Sequence, residues 1–161
     1  MRIGVSTGEA FVGDYGSDTK WDYTCIGDTV NLGSRLEAAN KCFGTQVLVD
    51  QATRERAGDR LVFRSLGLLT LPGKTDAVAV SELIGAVGEV DEANLDYVAC
   101  FERVVRCFQG CQWASCLEAI AQCSRLKPKD PAIEPYAQAV EAYRKTPPPV
   151  DWNRAIDVAV K

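Results

Sequence analysis

Asn31 and Arg35 lie four residues apart, an amide followed by a guanidinium. On an α-helix that spacing sets both side chains on one face, one turn apart. The amide can donate and accept hydrogen bonds and the guanidinium carries a permanent charge, so together they can grip a ribose and a phosphate. For that they need a helix that begins just before them. Gly27 gives the chain freedom at the start, Asp28 or Thr29 is suited to cap it, and residues 30–39 are helix-compatible apart from Gly33. Leu32, Leu36 and Ala39 fall at the spacing of a buried stripe, which predicts a helix over about residues 29–41.

The flanking segments predict an α+β layer of strands and helices. Residues 2–6 and 9–13 are short β-rich runs separated by Thr7-Gly8, which reads as a hairpin or tight strand connection, with a loop over residues 14–18 after it. Residues 46–49 predict a short buried strand and residues 51–57 a helix capped by Asp50 and stopped by Gly58. Residues 61–71 predict a strand, and residues 77–84 a returning strand after the turn Pro72-Gly73-Lys74-Thr75-Asp76.

From about Glu89 every apolar pattern has helical period, which predicts a boundary between residues 1–87 and residues 88–161. Helices are expected over residues 92–109 and 112–126 with Gly110 between them. A third runs from Asp130-Pro131 to about Lys145, Pro147-Pro148-Pro149 is a stiff spacer, and Asp151-Trp152 caps a last short helix.

Composition narrows the class. Across 161 residues, 47% hydrophobic and 25% charged is the balance of a soluble globular chain. Lysine and arginine number 18 against 22 acids, so no general field attracts nucleic acid or an anionic bilayer. No apolar run approaches the roughly 20 residues of a bilayer span, and the N-terminus lacks a signal-peptide core, so a cytoplasmic chain is expected. There is no histidine, and the seven cysteines lack paired Cys-x-x-Cys spacing. That favours reduced buried thiols over a zinc site, and no metal ligand is assigned.

Residues 23–37, Tyr-Thr-Cys-Ile-Gly-Asp-Thr-Val-Asn-Leu-Gly-Ser-Arg-Leu-Glu, follow Ile3-Gly4-Val5-Ser6-Thr7-Gly8 and Phe11-Val12-Gly13. Together they resemble the signature of class III nucleotidyl cyclases, the adenylate and guanylate cyclases. The resemblance implies part of a ferredoxin-like cyclase layer, of which residues 1–85 cover about the latter half. It implies that Asn31 orients the ribose and that Arg35 meets the charge on the α-phosphate as catalytic residues, delivered across a dimer interface to a second cyclase subunit or a second copy. It implies ATP as substrate, with Thr24 at the position that reads the purine. A threonine hydroxyl can accept from the adenine amino group, and guanylate cyclases tend to have cysteine there, so guanylate cyclase activity is a further alternative.

The family also carries a lysine beside a glycine in its last hairpin, in contact with the triphosphate. Proline stands there in Pro72-Gly73-Lys74, and Lys74 is the candidate to reach the phosphates, against the plainer reading of an exposed turn lysine. The family's metal-binding aspartates would precede Met1, while Asp14, Asp18, Asp22 and Asp28 follow other motifs. Mg or Mn is therefore expected in the complete enzyme and none on this chain alone, which is expected not to turn over ATP by itself. The alternative is a non-catalytic dimerisation or protein-interaction module derived from a cyclase.

Trp113, Cys116, Ile120, Cys123 and Pro128 lie at separations similar to the tetratricopeptide helix pair, with the two cysteines at small-residue positions. About one and a half repeats fit. Such a segment is expected to dock on something, pair with another copy or bind a protein partner, with a generic helical hairpin as the alternative.

Overall fold

A computed structural model of the chain describes residues 1–17, 20–74 and 76–158, with the side chains of residues 17, 20 and 21 outside the description. Asp18 and Thr75, which fall in the loop and turn expected above, lie outside it as well.

Strand β1, Ile3–Val5, is followed by β2, Phe11–Ser17, and β3, Lys20–Ile26. The hairpin expected at Thr7-Gly8 does not form, because β1 and β2 belong to different sheets. β1 runs parallel to β4, Val47–Asp50, with Ile3 opposite Val47 and Val5 opposite Val49. β2 instead pairs antiparallel with β3, from Phe11 opposite Ile26 to Ser17 opposite Lys20, so residues 14–17, expected as loop, are strand.

Helix α1, Asp28–Phe43, connects the hairpin to β4. Its N-cap is Gly27, with no side-chain cap, rather than Asp28 or Thr29: Asp28 is already the first helical residue. Leu32, Leu36 and Ala39 form the expected buried stripe, joined by Phe43. Gly4 explains how the helix sits on the sheet. A β-carbon there would stand 2.0 Å from the Gly33 carbonyl oxygen and 2.4 Å from the Glu37 nitrogen, so only glycine lets β1 approach α1 this closely. Gly33, the irregular residue in an otherwise helix-compatible run, lies at this contact.

Helix α2, Gln51–Ala57, is capped as expected, the Thr53 amide donating to the Asp50 carboxylate at 2.8 Å, with Gly58 after it. β5, Leu61–Thr70, and β6, Val78–Ala86, form a long antiparallel hairpin whose turn carries Pro72, Gly73 and Lys74. The larger sheet has the order β1-β4-β6-β5-β7, where β7 is Ile156–Asp157, parallel to the end of β5. That short strand replaces the last helix expected after Asp151-Trp152. Its residues find partners at Leu69 and Thr70, a pairing across more than eighty residues that local pattern does not show.

Helices α3, Glu92–Gln109, and α4, Trp113–Leu126, form an antiparallel pair, and α5, Glu134–Lys145, follows a single 3-10 turn, Pro131–Ile133. They pack on the sheet face that α1 covers. One buried cluster runs from Leu32, Leu36 and Phe43 through Leu48, Leu66, Leu69 and Val80 to Phe101, Val104, Phe108, Cys116, Ile120 and Tyr136. Gly67, at a bulge in β5 with φ 73°, makes the notch for this docking: a β-carbon there would meet the Tyr136 hydroxyl and Val105 Cγ1, each at 2.9 Å. The Tyr136 hydroxyl donates to the Leu66 carbonyl at 2.5 Å. Trp113 is partly buried rather than fully enclosed, in an aromatic cluster with Phe108, Tyr143 and Trp152.

A charged cluster is buried where helices and sheet meet. Arg64, on β5, is 1% exposed. Its guanidinium reaches Glu82 on β6 at 2.6 Å and Asp130, between α4 and α5, at 2.5 Å, and lies 4.6 Å from the centre of the Phe101 ring. The Tyr97 hydroxyl donates to the same Asp130 oxygen at 2.6 Å. Each charge thus has a partner, as a buried charge must.

Candidate functional site

The first two turns of α1 and the β5–β6 turn come together at one end of the sheet. Asn31 and Arg35 lie one helical turn apart, as their spacing predicted. Asn31 is exposed and its amide has no hydrogen-bond partner among the described residues. Arg35 is half-buried and makes no ion pair among them. Its guanidinium lies over the backbone of Gly73: a β-carbon added there would be 3.1 Å from Arg35 Nη2 and 3.5 Å from Cζ. Gly73 has φ 72°, a conformation that glycine adopts without strain, and its missing side chain leaves room for the guanidinium.

Lys74 follows directly, and its Nζ meets Asp28 Oδ2 at 2.5 Å. The lysine side chain is 19% exposed, whereas that of Asp28 is 76% exposed. Lys74 is therefore not a free turn lysine. It is drawn back over the start of α1, on the same side of the molecule as Arg35, and residue 28 ties it there. Sequence reading missed this role of Asp28, since the pair is 46 residues apart and no local signal marks it. Thr24 is exposed on β3, opposite Gly13, four residues before the first residue of α1.

The arrangement is electropositive and open: a guanidinium and an amide with no partner among the described residues, and one ammonium shared with an exposed carboxylate, beside the N-terminus of a helix that lacks a side-chain cap. Such groups suit an anion with several oxygens. They do not suit a divalent cation. Among the described residues no three His, Cys, Asp or Glu side chains are grouped to hold a metal ion, and Asp28 already faces Lys74.

Beside this site the β2–β3 hairpin presents large apolar side chains to solvent. Phe11 is 74% exposed on one face of the hairpin, with exposed Ile26 directly opposite it, while Val12 at 60% and Tyr23 at 75% are exposed on the other face; Val30, at the start of α1, is exposed as well. Large apolar side chains exposed together in this way are the kind of feature that marks an interaction surface.

Among the described residues no helix is long and apolar enough to cross a membrane. Residues 1–81 match the family described as the adenylate and guanylate cyclase catalytic domain. Adenylate cyclase 1 of Rhizobium meliloti (strain 1021) is 41% identical over 90 residues, which make up 56% of this chain and 14% of that protein. The terminal-differentiation specific adenylate cyclase of Dictyostelium discoideum is 35% identical over 85 residues, 51% of this chain and 4% of that protein. The chain thus spans a small part of the length of these relatives. The adenylyl cyclase CyaB from P. aeruginosa superposes with a TM-score of 0.47 at 31% identity, over 56% of this chain and 45% of that one. With a family match that takes in half of its residues and carries the whole Asn31–Arg35 constellation, this chain belongs to the adenylate and guanylate cyclase catalytic domain family.

Proposed function

We propose that the chain is a portion of a class III adenylate cyclase, in which residues 1–87 supply the Asn31 and Arg35 half of a site completed by a second cyclase surface. The observation that carries this reading is the seating of Arg35 over Gly73, beside Lys74, with no carboxylate of the described residues neutralising the guanidinium. A buried or partly buried arginine normally finds an anion within its own chain. One left unpaired next to an ammonium and a free amide is set up for an anion from outside, and the triphosphate of ATP fits.

Cyclisation of ATP joins the ribose 3′-oxygen to the α-phosphorus and expels pyrophosphate, so negative charge builds on the oxygens around phosphorus. Arg35 complements that charge, and Asn31, one turn earlier, holds the ribose by a hydrogen bond. Lys74 meets the departing phosphates once it is released from, or shared with, Asp28. Thr24 faces the purine. Mg or Mn belongs to the complete enzyme through the family. Among the described residues no carboxylates are grouped to hold it.

The second polypeptide docks on the β2–β3 hairpin, where Phe11, Val12 and Tyr23 are exposed. The same exposed side chains support the alternative of a non-catalytic dimerisation or interaction module, since they would serve either. Residues 88–161 are read as a tetratricopeptide-like segment open to a protein partner, supported by the antiparallel α3–α4 pair with Cys116 and Cys123 fully buried at its seam. Seven cysteines without a disulfide among them suit the cytoplasm.

The test is to mix the chain with a cyclase half that carries intact metal-binding carboxylates, and to assay cyclic AMP from ATP and cyclic GMP from GTP. Activity with ATP that falls about 100- to 1,000-fold in Arg35→Ala supports the enzyme reading. A heterodimer that forms without activity favours the interaction module, and preference for GTP makes the parent a guanylate cyclase.

A further inference from the structure

Four buried cysteines line the seam between α3 and α4. Cys100 and Cys107 are seven residues apart on one helix, Cys116 and Cys123 seven apart on the other, and because the helices are antiparallel Cys100 faces Cys123. Their sulfurs are 2.9 Å apart. Both residues are buried, at 7% and 0% exposure, and both are free thiols. Small-residue packing explains why cysteine is tolerated at such a seam. It does not require two sulfurs at this separation, which lies between an ordinary thiol contact and a bond of about 2.05 Å.

We propose that Cys100 and Cys123 are a redox-active dithiol, a site that closes reversibly to a disulfide at the expense of a small soluble disulfide such as glutathione disulfide. Closure asks the sulfurs to approach by roughly 0.9 Å. The surface supplies the way in. A depression of about 430 Å³ is lined by Cys100 together with Asp96, Ala99, Arg103, Gln122 and Leu126. Cys100 borders it, while Cys123 lies behind.

The order of events follows from that placement. The Cys100 thiolate attacks one sulfur of the small disulfide, the S–S bond breaks, and one thiol leaves with the electron pair and a proton. Cys123 then attacks Cys100 Sγ in the mixed disulfide and expels the second thiol, which takes the remaining proton. In sum the two protein thiols are oxidised by two electrons, and one small disulfide is reduced to two thiols. Cys123, fully buried and in contact with the Cys100 sulfur, is placed to react second and only inside the seam. Transient disulfides of this kind are compatible with a reducing compartment.

The site also has a neighbour that gives closure a consequence. Cys100 follows Tyr97 by one turn and adjoins Phe101, the two residues that contact Arg64, so a staple here tightens the helices where they hold β5.

The experiment is to incubate the folded chain with glutathione disulfide, quench with an alkylating agent after denaturation, and map peptides without reduction. The expected product is a peptide pair joined through Cys100 and Cys123, lighter by two hydrogens, which dithiothreitol reverses. In Cys123→Ala the expected product is instead a glutathione adduct that persists on Cys100. If Cys100 and Cys123 are both alkylated in the treated wild-type chain, with glutathione only on exposed Cys25 and Cys111, the proposal is wrong. This outcome is independent of the nucleotide reading, because no nucleotide or second cyclase half is present.

Discussion

Lys74 is held 2.5 Å from Asp28, and this one contact fastens the β5–β6 turn to the first residue of α1. The pair does little for stability, since an ion pair with one partner largely in water contributes about 0–1 kcal/mol. Its use is positional. Asp28→Ala is therefore expected to leave the urea midpoint nearly unchanged, while Lys74→Ala weakens ATP in the reconstituted cyclase assay with a higher KM. A large loss of stability in Asp28→Ala would show that the contact is structural instead.

The approach of β1 to α1 gives opposite expectations for two glycines that touch. Gly4→Ala puts a methyl group 2.0 Å from the Gly33 carbonyl and must push strand from helix, at a cost of about 1–3 kcal/mol or more. Gly33→Ala places its methyl 3.6 Å from the Gly4 carbonyl, an ordinary contact, and gains up to about 1 kcal/mol of helix propensity. Thermal melts of the two variants should move in opposite directions.

Asp130 makes stability depend on pH in a definite sense. Burial pushes its carboxyl up, but hydrogen bonding from Tyr97, the Arg64 charge and the Ala132 amide outweigh this and hold it below the usual range. A depressed carboxyl stabilises the fold above the unfolded value of about 3.9, and that contribution is lost as pH falls through the lower folded value. Asp130→Asn leaves Arg64 underpaired in the interior and is expected to cost about 3–5 kcal/mol at pH 7. Urea titrations from neutral to acid pH should show that difference shrinking below about pH 4. Glu82 behaves with the opposite sign, because burial outweighs Arg64 and raises its carboxyl.

Trp113→Ala is expected to destabilise the helices by about 3 kcal/mol, at the lower end for a large aromatic because the ring is only partly buried. Trp152, which packs against it at a tilt from beyond α5, should share that loss: a double-mutant cycle of Trp113→Ala and Trp152→Ala reads a coupling of about 0.5 kcal/mol or more.

What could be read from the sequence was local. The Asn31 to Arg35 spacing, the stripe of Leu32, Leu36 and Ala39, and the Asp50 to Gly58 limits of α2 depend on neighbours within a turn or two, and each appears in the structure. The partners of the strands could not be read. Ile3 and Val5 look like half of a hairpin until Val47 and Val49 are brought beside them by α1, and Ile156 looks like the start of a helix until Leu69 offers it an edge. The site divided in the same way. Its helix-borne half was visible as a spacing, while the seat of Arg35 on Gly73 and the hold of Asp28 on Lys74 are contacts between elements far apart in the chain.

The notch at Gly67 has a mechanical consequence. Tyr136 and Val105 sit in it without slack, so a tug on α3 or α5 passes into β5 and along that strand toward the turn that bears Lys74. The strand on which the helices are seated is thus the same one that leads to the turn beside the arginine.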